Sequence, residues 1–341
     1  MENEAKRFRV AVAVAQKMAR SIFSEEDYDF LRGFADVNEI DDLPDTMTHE
    51  YMSKILDGAE ACITCWGTPA FTSAMLSQAK ELRLIAHTAG SVKHLVPPDF
   101  WRSGKRITSN APVIAEDVAH TVLAFIMFSL RGLWRNALST RSGGWVGGET
   151  AVFGSRRLEG LQVGVVGASN VGREVIKKIQ PFSCSIKLFD PYISRIEAAS
   201  LGAELMGLDD LIASSDIITL HAPNNEECRH MINAGNISLM KDGVLFVNTA
   251  RGMLVDEAAL TKELETGRIT ACIDVTDPEP PAADHPFRRL DNVILTSHVA
   301  GGCTFNGRKM LGANIIKEVY NYLNKGLLSF EIRREMLDRM A

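Results

Sequence analysis

One stretch, residues 162–190, limits the fold more than any other. Residues 162–167 have an apolar strand pattern and Gly167-Ala168-Ser169-Asn170-Val171-Gly172 follows as a turn. Residues 172–180 then have helical spacing, and 185–190 read as a second strand that ends on Asp190. Strand, glycine turn, helix, strand and acid in this order describe half of a dinucleotide-binding unit. The glycines permit the tight turn, helix N-terminal amides meet a pyrophosphate, and the acid accepts from ribose hydroxyls. Gly167, Asn170, Val171, Gly172 and Asp190 are therefore candidate cofactor contacts. Asp190 would repel a 2′-phosphate, and no cation follows it before Arg195, so NAD is expected over NADP. Ser169 stands where the middle glycine of the fingerprint belongs. Either its side chain pushes the cofactor outward or its hydroxyl bonds a phosphate oxygen. A nucleophile elbow would need a glycine where Val171 stands.

The rest of the chain alternates in the same way. Residues 8–15, 59–66, 82–88 and 106–110 read as strands, with helical spacing over 25–34 and 72–80. A second series of strands is expected at 216–222, 244–248, 271–275 and 293–298. This alternation predicts parallel sheets covered by helices. The longest helical pattern, 114–138, is apolar on more than one side and predicts burial between domains or subunits. A Gly- and Ser-rich loop, 142–155, follows with Trp145 in it; packing on a neighbour and a plain surface loop both remain open.

With 341 residues the chain is long for one hydrophobic core and comfortable for two. A net charge of -6 argues against a broad nucleic-acid footprint, which needs a basic face. The N-terminus lacks a signal-like apolar run, and 118–130 is interrupted by His120, Thr121 and Ser129, so no membrane partner and a cytoplasmic protein are expected. Cys62 and Cys65 form a C-x-x-C, but residues three apart on a strand face opposite ways. They read as small buried hydrophobes, and no metal site is expected.

Three downstream segments place polar groups at strand ends: Asn248-Thr249-Ala250-Arg251-Gly252, Asp274-Val275-Thr276-Asp277-Pro278-Glu279-Pro280, and Thr296-Ser297-His298-Val299-Ala300-Gly301-Gly302. Ligands of open parallel sheets collect at the carboxyl ends of strands. Taken singly, Arg251 reads as a surface ion pair, Glu279 as a turn residue and His298 as a cap. Beside a cofactor fingerprint, the three together predict a catalytic group.

These segments, with His221-Ala222-Pro223 and the run from Met240 to Leu260, resemble the D-isomer-specific 2-hydroxyacid dehydrogenase family. The likeness covers nearly the whole chain and is densest over 161–302. It implies an α/β protein with two Rossmann-like or flavodoxin-like parallel-sheet domains and a cleft between them. The substrate domain would be discontinuous, 1–112 with 303–341, and the NAD-binding domain would span 113–302. It also implies hydride transfer between NAD and a small D-2-hydroxy acid or its 2-keto acid. Arg251 would bind the substrate carboxylate and keto oxygen, and Glu279 would hydrogen-bond His298, the acid/base. His221, Thr249, Ala250, Asp274 and Gly301, together with Ser169, Arg251 and His298, would line the cofactor. Backbone amides of Gly90, Ser91 and Val92 would hold the substrate carboxylate. The resemblance further implies a homodimer through 114–138 and the Trp145 arm, and a chain without an appended regulatory domain.

Four positions depart from the family pattern: Ser169, Ser297 in place of a usual Pro, and Lys93-His94 in place of Asn/Asp-type residues. They bear on cofactor affinity, loop rigidity and substrate choice. Formate is not an expected substrate, because that branch carries Gln where Glu279 stands. Trp66 reads as a buried aromatic and Lys93-His94 as a solvated basic pair, with a pocket-lining role as the alternative. A second class of function on the same fold is an NAD-sensing corepressor-like module; the intact Arg-Glu-His set argues for the enzyme.

Overall fold

The computed structural model describes residues 7–38, 42–145 and 155–340. It divides into two compact units. One runs to Ile114 and resumes over Gly302–Leu337; the other is Ala115–Gly301 with the residues from Asp338. In chain order the strands are β1 (Phe8–Ala13), β2 (Ala35–Val37), β3 (Ala61–Thr64), β4 (Leu84–His87), β5 (Arg106–Ser109), β6 (Gln162–Val166), β7 (Ser185–Phe189), β8 (Glu204–Leu205), β9 (Ile217–Leu220), β10 (Leu245–Asn248), β11 (Thr270–Ile273), β12 (Val293–Leu295) and β13 (Glu331–Ile332).

The first unit holds a six-stranded sheet of order β13-β5-β4-β3-β1-β2, parallel except where β13 pairs with β5. Strands β3 and β4 are buried along their whole length, as expected of parallel strands covered on both faces. Val10, Val12, Ile63, Leu84 and Ala86 pack with Leu311, Ile315, Ile316 and Val319 of the helix Phe305–Lys325. That contact returns the distant C-terminal helix to the first sheet and makes the unit discontinuous. Ser24 and Asp27 form a capping box that starts the helix Glu25–Phe34, each side chain satisfying an amide that helix geometry leaves unpaired.

The second unit holds a seven-stranded sheet of order β12-β11-β10-β9-β6-β7-β8. All its ladders are parallel. The carboxyl ends of β10, β11 and β12 therefore lie side by side, and the glycine turn leaves β6 between β9 and β7.

The apolar run expected as one helix over 114–138 is two. A helix Ala111–Leu130 stops before Gly132, which sits at φ +61, and a second spans Leu133–Arg141. A left-handed residue ends the helical repeat, and glycine adopts that conformation at little cost. Ala115, Val118, Ala119, Val122, Ile126 and Leu130 form the buried stripe, while Phe128, Leu133 and Trp134 are exposed by 37%, 48% and 36%. Against the expectation from the polar interruptions at His120, Thr121 and Ser129, the helix is long and apolar enough to cross a bilayer by length and composition alone. Most of the loop 142–155 falls outside the described residues; Trp145, at its described end, is 87% exposed.

Candidate active site

Asn248 ends β10 and shapes the next turn. Its Oδ1 accepts the Ala250 amide and its Nδ2 donates to the Arg251 carbonyl, both at 3.0 Å. At Gly252 the backbone runs against a neighbouring turn: a Cβ there would lie 2.1 Å from the Thr276 carbonyl carbon and 2.4 Å from the Asp277 nitrogen. Only glycine allows this approach, and it brings Arg251 beside the turn that carries Glu279. Burial pulls the Arg251 pKa below its ordinary value, and the Glu279 charge opposes that shift.

Glu279 Oε1 accepts the Thr276 amide at 3.2 Å, and Oε2 lies 2.8 Å from His298 Nδ1. Both side chains remain open to solvent, 38% for Glu279 and 46% for His298, so a ligand can reach the ring. His298 has φ +56, a left-handed conformation that costs a non-glycine residue roughly 1–2 kcal/mol. Asp274 holds it there. Its carbonyl accepts the His298 amide at 2.8 Å. Its carboxylate accepts the Val299 and Ala300 amides at 2.9 Å and the Thr296 hydroxyl at 2.5 Å. The carboxylate, expected along the cofactor, is committed to this loop and 2% exposed.

Further along the same edge of the sheet, the Gly167 turn after β6 crosses the chain just beyond β9. A Cβ on Gly167, at φ +100, would lie 2.7 Å from the His221 carbonyl oxygen, and one on Gly172 2.0 Å from the Gly167 carbonyl oxygen. Ser169 caps the helix Asn170–Ile179, its hydroxyl accepting the Gly172 amide at 3.4 Å. That use is a third one, beside steric exclusion and a phosphate bond. Asn170 and Val171 open the helix, where free amides point outward. Asp190 Oδ2 accepts the Ala168 amide and Oδ1 the Tyr192 amide, both at 2.8 Å. It thus braces the glycine turn, and each carboxylate oxygen has a lone pair left.

Two buried polar atoms nearby, Thr249 Oγ1 and His221 Nδ1, have no hydrogen-bond partner among the described residues. Burial lowers the His221 pKa to about 3, so the ring is neutral, with Nε2 2.9 Å from Thr219 Oγ1. Buried orphan groups are rare without a ligand or water. The glycine cradle and these orphans fit NAD, which Gly167, Asn170, Val171, Asp190 and Thr249 would hold. Ala250 is buried and Gly301 half-buried in the bend after His298. Gly90, Ser91 and Val92 lie in the first unit; Gly90 and Ser91 are half-buried, and Val92 is fully buried.

Trp66, expected to be buried, is 36% exposed, and its ring packs where a side chain on Gly302 would sit. Cys62 and Cys65 are buried thiols, each pushed up to about 12 by desolvation. One residue near the site escaped the sequence reading. Glu257, the first residue of the helix Glu257–Glu265, accepts the Asp277 amide at 2.8 Å. Burial, with Asp277 and Glu279 adding to it, raises its pKa to about 7. In the sequence it resembles any acid in a helix's first turn, and only the prolines around Glu279 hint at a turn needing support.

The family model for the D-isomer specific 2-hydroxyacid dehydrogenase NAD binding domain matches residues 123–300. D-3-phosphoglycerate dehydrogenase of Archaeoglobus fulgidus is 34% identical over 257 residues, which are 74% of this chain and 47% of that protein. The chain thus spans about half the length of that relative. Hydroxypyruvate reductase of Thermotoga maritima is 28% identical over 84% of this chain and 92% of its own. The crystal structure of a phosphoglycerate oxidoreductase from Rhizobium etli superposes with a TM-score of 0.80 at 25% identity, covering 96% of this chain and 99% of that one. With more than half of its residues matched by the family's NAD-binding domain, and a glycine cradle of the matching shape, the chain belongs to the D-isomer specific 2-hydroxyacid dehydrogenase family.

Proposed function

We propose that the protein is an NAD-dependent oxidoreductase that interconverts a small D-2-hydroxy acid and its 2-keto acid. The observation that carries this reading is the 2.8 Å contact of His298 Nδ1 with Glu279 Oε2, beside Arg251, in the NAD-binding unit. Glu279 occupies Nδ1, so Nε2 is the ring atom left to exchange a proton with substrate. The negative charge of Glu279 favours the imidazolium needed to protonate a keto oxygen. Arg251 presents a planar fork of donors that suits a carboxylate and a developing alkoxide together, and its burial strengthens both contacts. NAD, when bound, supplies the site that gives or takes the hydride.

Hydroxypyruvate and glyoxylate reductases and phosphoglycerate dehydrogenases among the relatives suggest substrates of two or three carbons. The test is oxidation of NADH, and separately NADPH, with glyoxylate, hydroxypyruvate, pyruvate and a phosphorylated 2-keto acid. The expected result is turnover of at least one with NADH preferred, because Asp190 repels a 2′-phosphate. Cofactor binding without turnover of any of them would favour a sensing role for the fold. A homodimer is part of this reading, supported by the exposed apolar residues Phe128, Leu133, Trp134 and Trp145.

A further inference from the structure

Behind the His298–Glu279 pair lies a second carboxylate–imidazole pair. Asp256 caps the helix Glu257–Glu265 by accepting the Ala259 amide, so Glu257 is not needed as its cap. Its side chain instead turns inward and is 15% exposed. Oε1 takes the Asp277 amide at 2.8 Å, and Oε2 lies 3.4 Å from His285 Nε2. The Phe287 amide donates to His285 Nδ1, which fixes the neutral ring's proton on Nε2, facing Glu257.

We propose that Glu257 is a positioning residue for Glu279: it pins the Asp277 end of the turn that carries Glu279, and its charge acts on the His298–Glu279 pair. This rests on the function proposed above. Asp277 is two residues from Glu279, and the Thr276 amide on its other side already bonds Glu279 Oε1. Glu257 and Glu279 thus grip adjacent amides of one turn, so movement at one carboxylate displaces the other. The ionisable groups around Glu257 are Asp277 and Glu279 on that turn and His285 on the next segment. Asp284 and Arg288 flank His285. Beyond them, Arg229 lies 3.7 Å from Asp277, and Arg251 acts on Glu279. A helix N-terminus ordinarily favours a carboxylate's charge. Here burial and two negative neighbours win, and the Glu257 pKa rises to about 7. Its charge therefore changes over the pH range in which an imidazole works.

The test compares Glu257→Gln and Glu257→Ala in the full-length chain. Two readouts are used: the pH dependence of kcat/KM for keto acid reduction, and the pH titration of the His298 ring protons by NMR without substrate. Glu257→Gln keeps an acceptor for the Asp277 amide and removes the charge. Its KM for keto acid should change by less than about two-fold, a sign that ground-state binding is intact. Both pH curves should move to lower pH by at least about half a unit. Glu257→Ala also loses the grip on the turn, and its kcat should fall about ten-fold, as when one charge-assisted bond is lost, with NADH affinity kept. Recovery of most of that loss in Glu257→Gln supports the positioning role. A Glu257→Gln titration that superimposes on the unmodified protein overturns the proposal. So does an equal loss of kcat in both variants without a pH shift, since that marks a purely structural residue. The NMR titration needs no turnover, so failure of every keto acid would sink the proposed function and still leave the coupling decided. If Glu257→Ala does not fold, the Glu257→Gln titration decides alone.

Discussion

Asp274 grips the chain at His298 and just beyond it: its carbonyl takes the His298 amide at 2.8 Å and its carboxylate the Val299 and Ala300 amides at 2.9 Å. The His298 backbone is thus held in a left-handed conformation by a residue that is itself buried. Asp274→Ala leaves two amides without an acceptor, at roughly 1–3 kcal/mol each, and frees the loop to relax. The variant should lose about 100-fold in kcat, the scale of loss that a misplacement of about 1 Å produces, and unfold at lower urea. A variant with ordinary kcat and reduced stability would show that the loop finds its shape without Asp274.

Ser169 tests a narrower point. Its hydroxyl caps the helix that opens the nucleotide site. Ser169→Ala should destabilise the protein by about 1 kcal/mol and Ser169→Gly by a few tenths, the usual ranking at N-caps. Urea midpoints of the two variants decide the matter. Equal midpoints would return Ser169 to a purely cofactor-facing role.

The exposed aromatic and aliphatic side chains after the break at Gly132 bear on assembly. Leu133 and Trp134 stand out from the short helix Leu133–Arg141, which buries no residue of its own in the chain. A helix with no buried face gains little from packing and is unstable alone, so a second copy should cover it. Sedimentation at micromolar concentration should give a dimer, and Leu133→Asp should shift it towards monomer. A monomer for the unmodified protein would leave this helix unexplained.

The glycine turn and the strand-end polar groups were legible because each carries a local signature: a fixed spacing, or a charged residue just past an apolar run. The helix break was not, because a single glycine inside an apolar run gives no sign of a positive φ. The short strands β2, β8 and β13 were not, since two or three residues cannot display an alternation. Asp274 shows the deeper difficulty. Its position at a strand end is what a cofactor ligand and a loop anchor have in common, and only the coordinates of Val299 and Ala300 separate the two. Glu257 was hidden for the same reason, its partner being a backbone amide 20 residues away.

Acid should affect the two units differently. Burial, then the nearby charge of His94, lowers the His87 pKa in the first unit to about 3; burial does the same to His221 in the second. Each native ring refuses a proton that the unfolded chain accepts below its ordinary value of 6.5. Each therefore removes up to about 1.4 kcal/mol per pH unit as pH falls from 6.5. Glu257, in the second unit, has the opposite sign. Its native pKa of about 7 exceeds the ordinary 4.5, so between these values the native state holds a proton that the unfolded chain has lost. Acidification across that window stabilises the second unit and offsets His221. Between pH 6.5 and 4.5 the first unit should weaken more than the second, where the rise at Glu257 opposes the lowering at both His221 and His285. Hydrogen exchange read by mass spectrometry should show the first unit opening earlier, and His87→Asn should abolish the difference. Earlier opening of the second unit would contradict the assignment.

The final prediction concerns the proton itself. On the proposed function, reduction of a keto acid needs the His298 imidazolium, so kcat/KM should fall as pH rises; oxidation of the hydroxy acid needs the neutral ring and should rise over the same range. His298→Ala should lower kcat by roughly two to four orders of magnitude and leave NADH binding largely intact. Glu279→Gln is the more discriminating change. Glu279 Oε1 already takes the Thr276 amide, so the glutamine should keep its oxygen there and turn its NH2 group toward Nδ1. That group donates and cannot accept, so it favours a neutral ring with its proton on Nε2 and disfavours the imidazolium. Both pH profiles should then move to lower pH, with reduction losing more at neutral pH than oxidation. Arg251→Ala should raise KM and lower kcat together, because the guanidinium would touch the substrate before and during hydride transfer. Profiles unmoved in Glu279→Gln would separate Glu279 from the chemistry and reduce the 2.8 Å contact to a structural one.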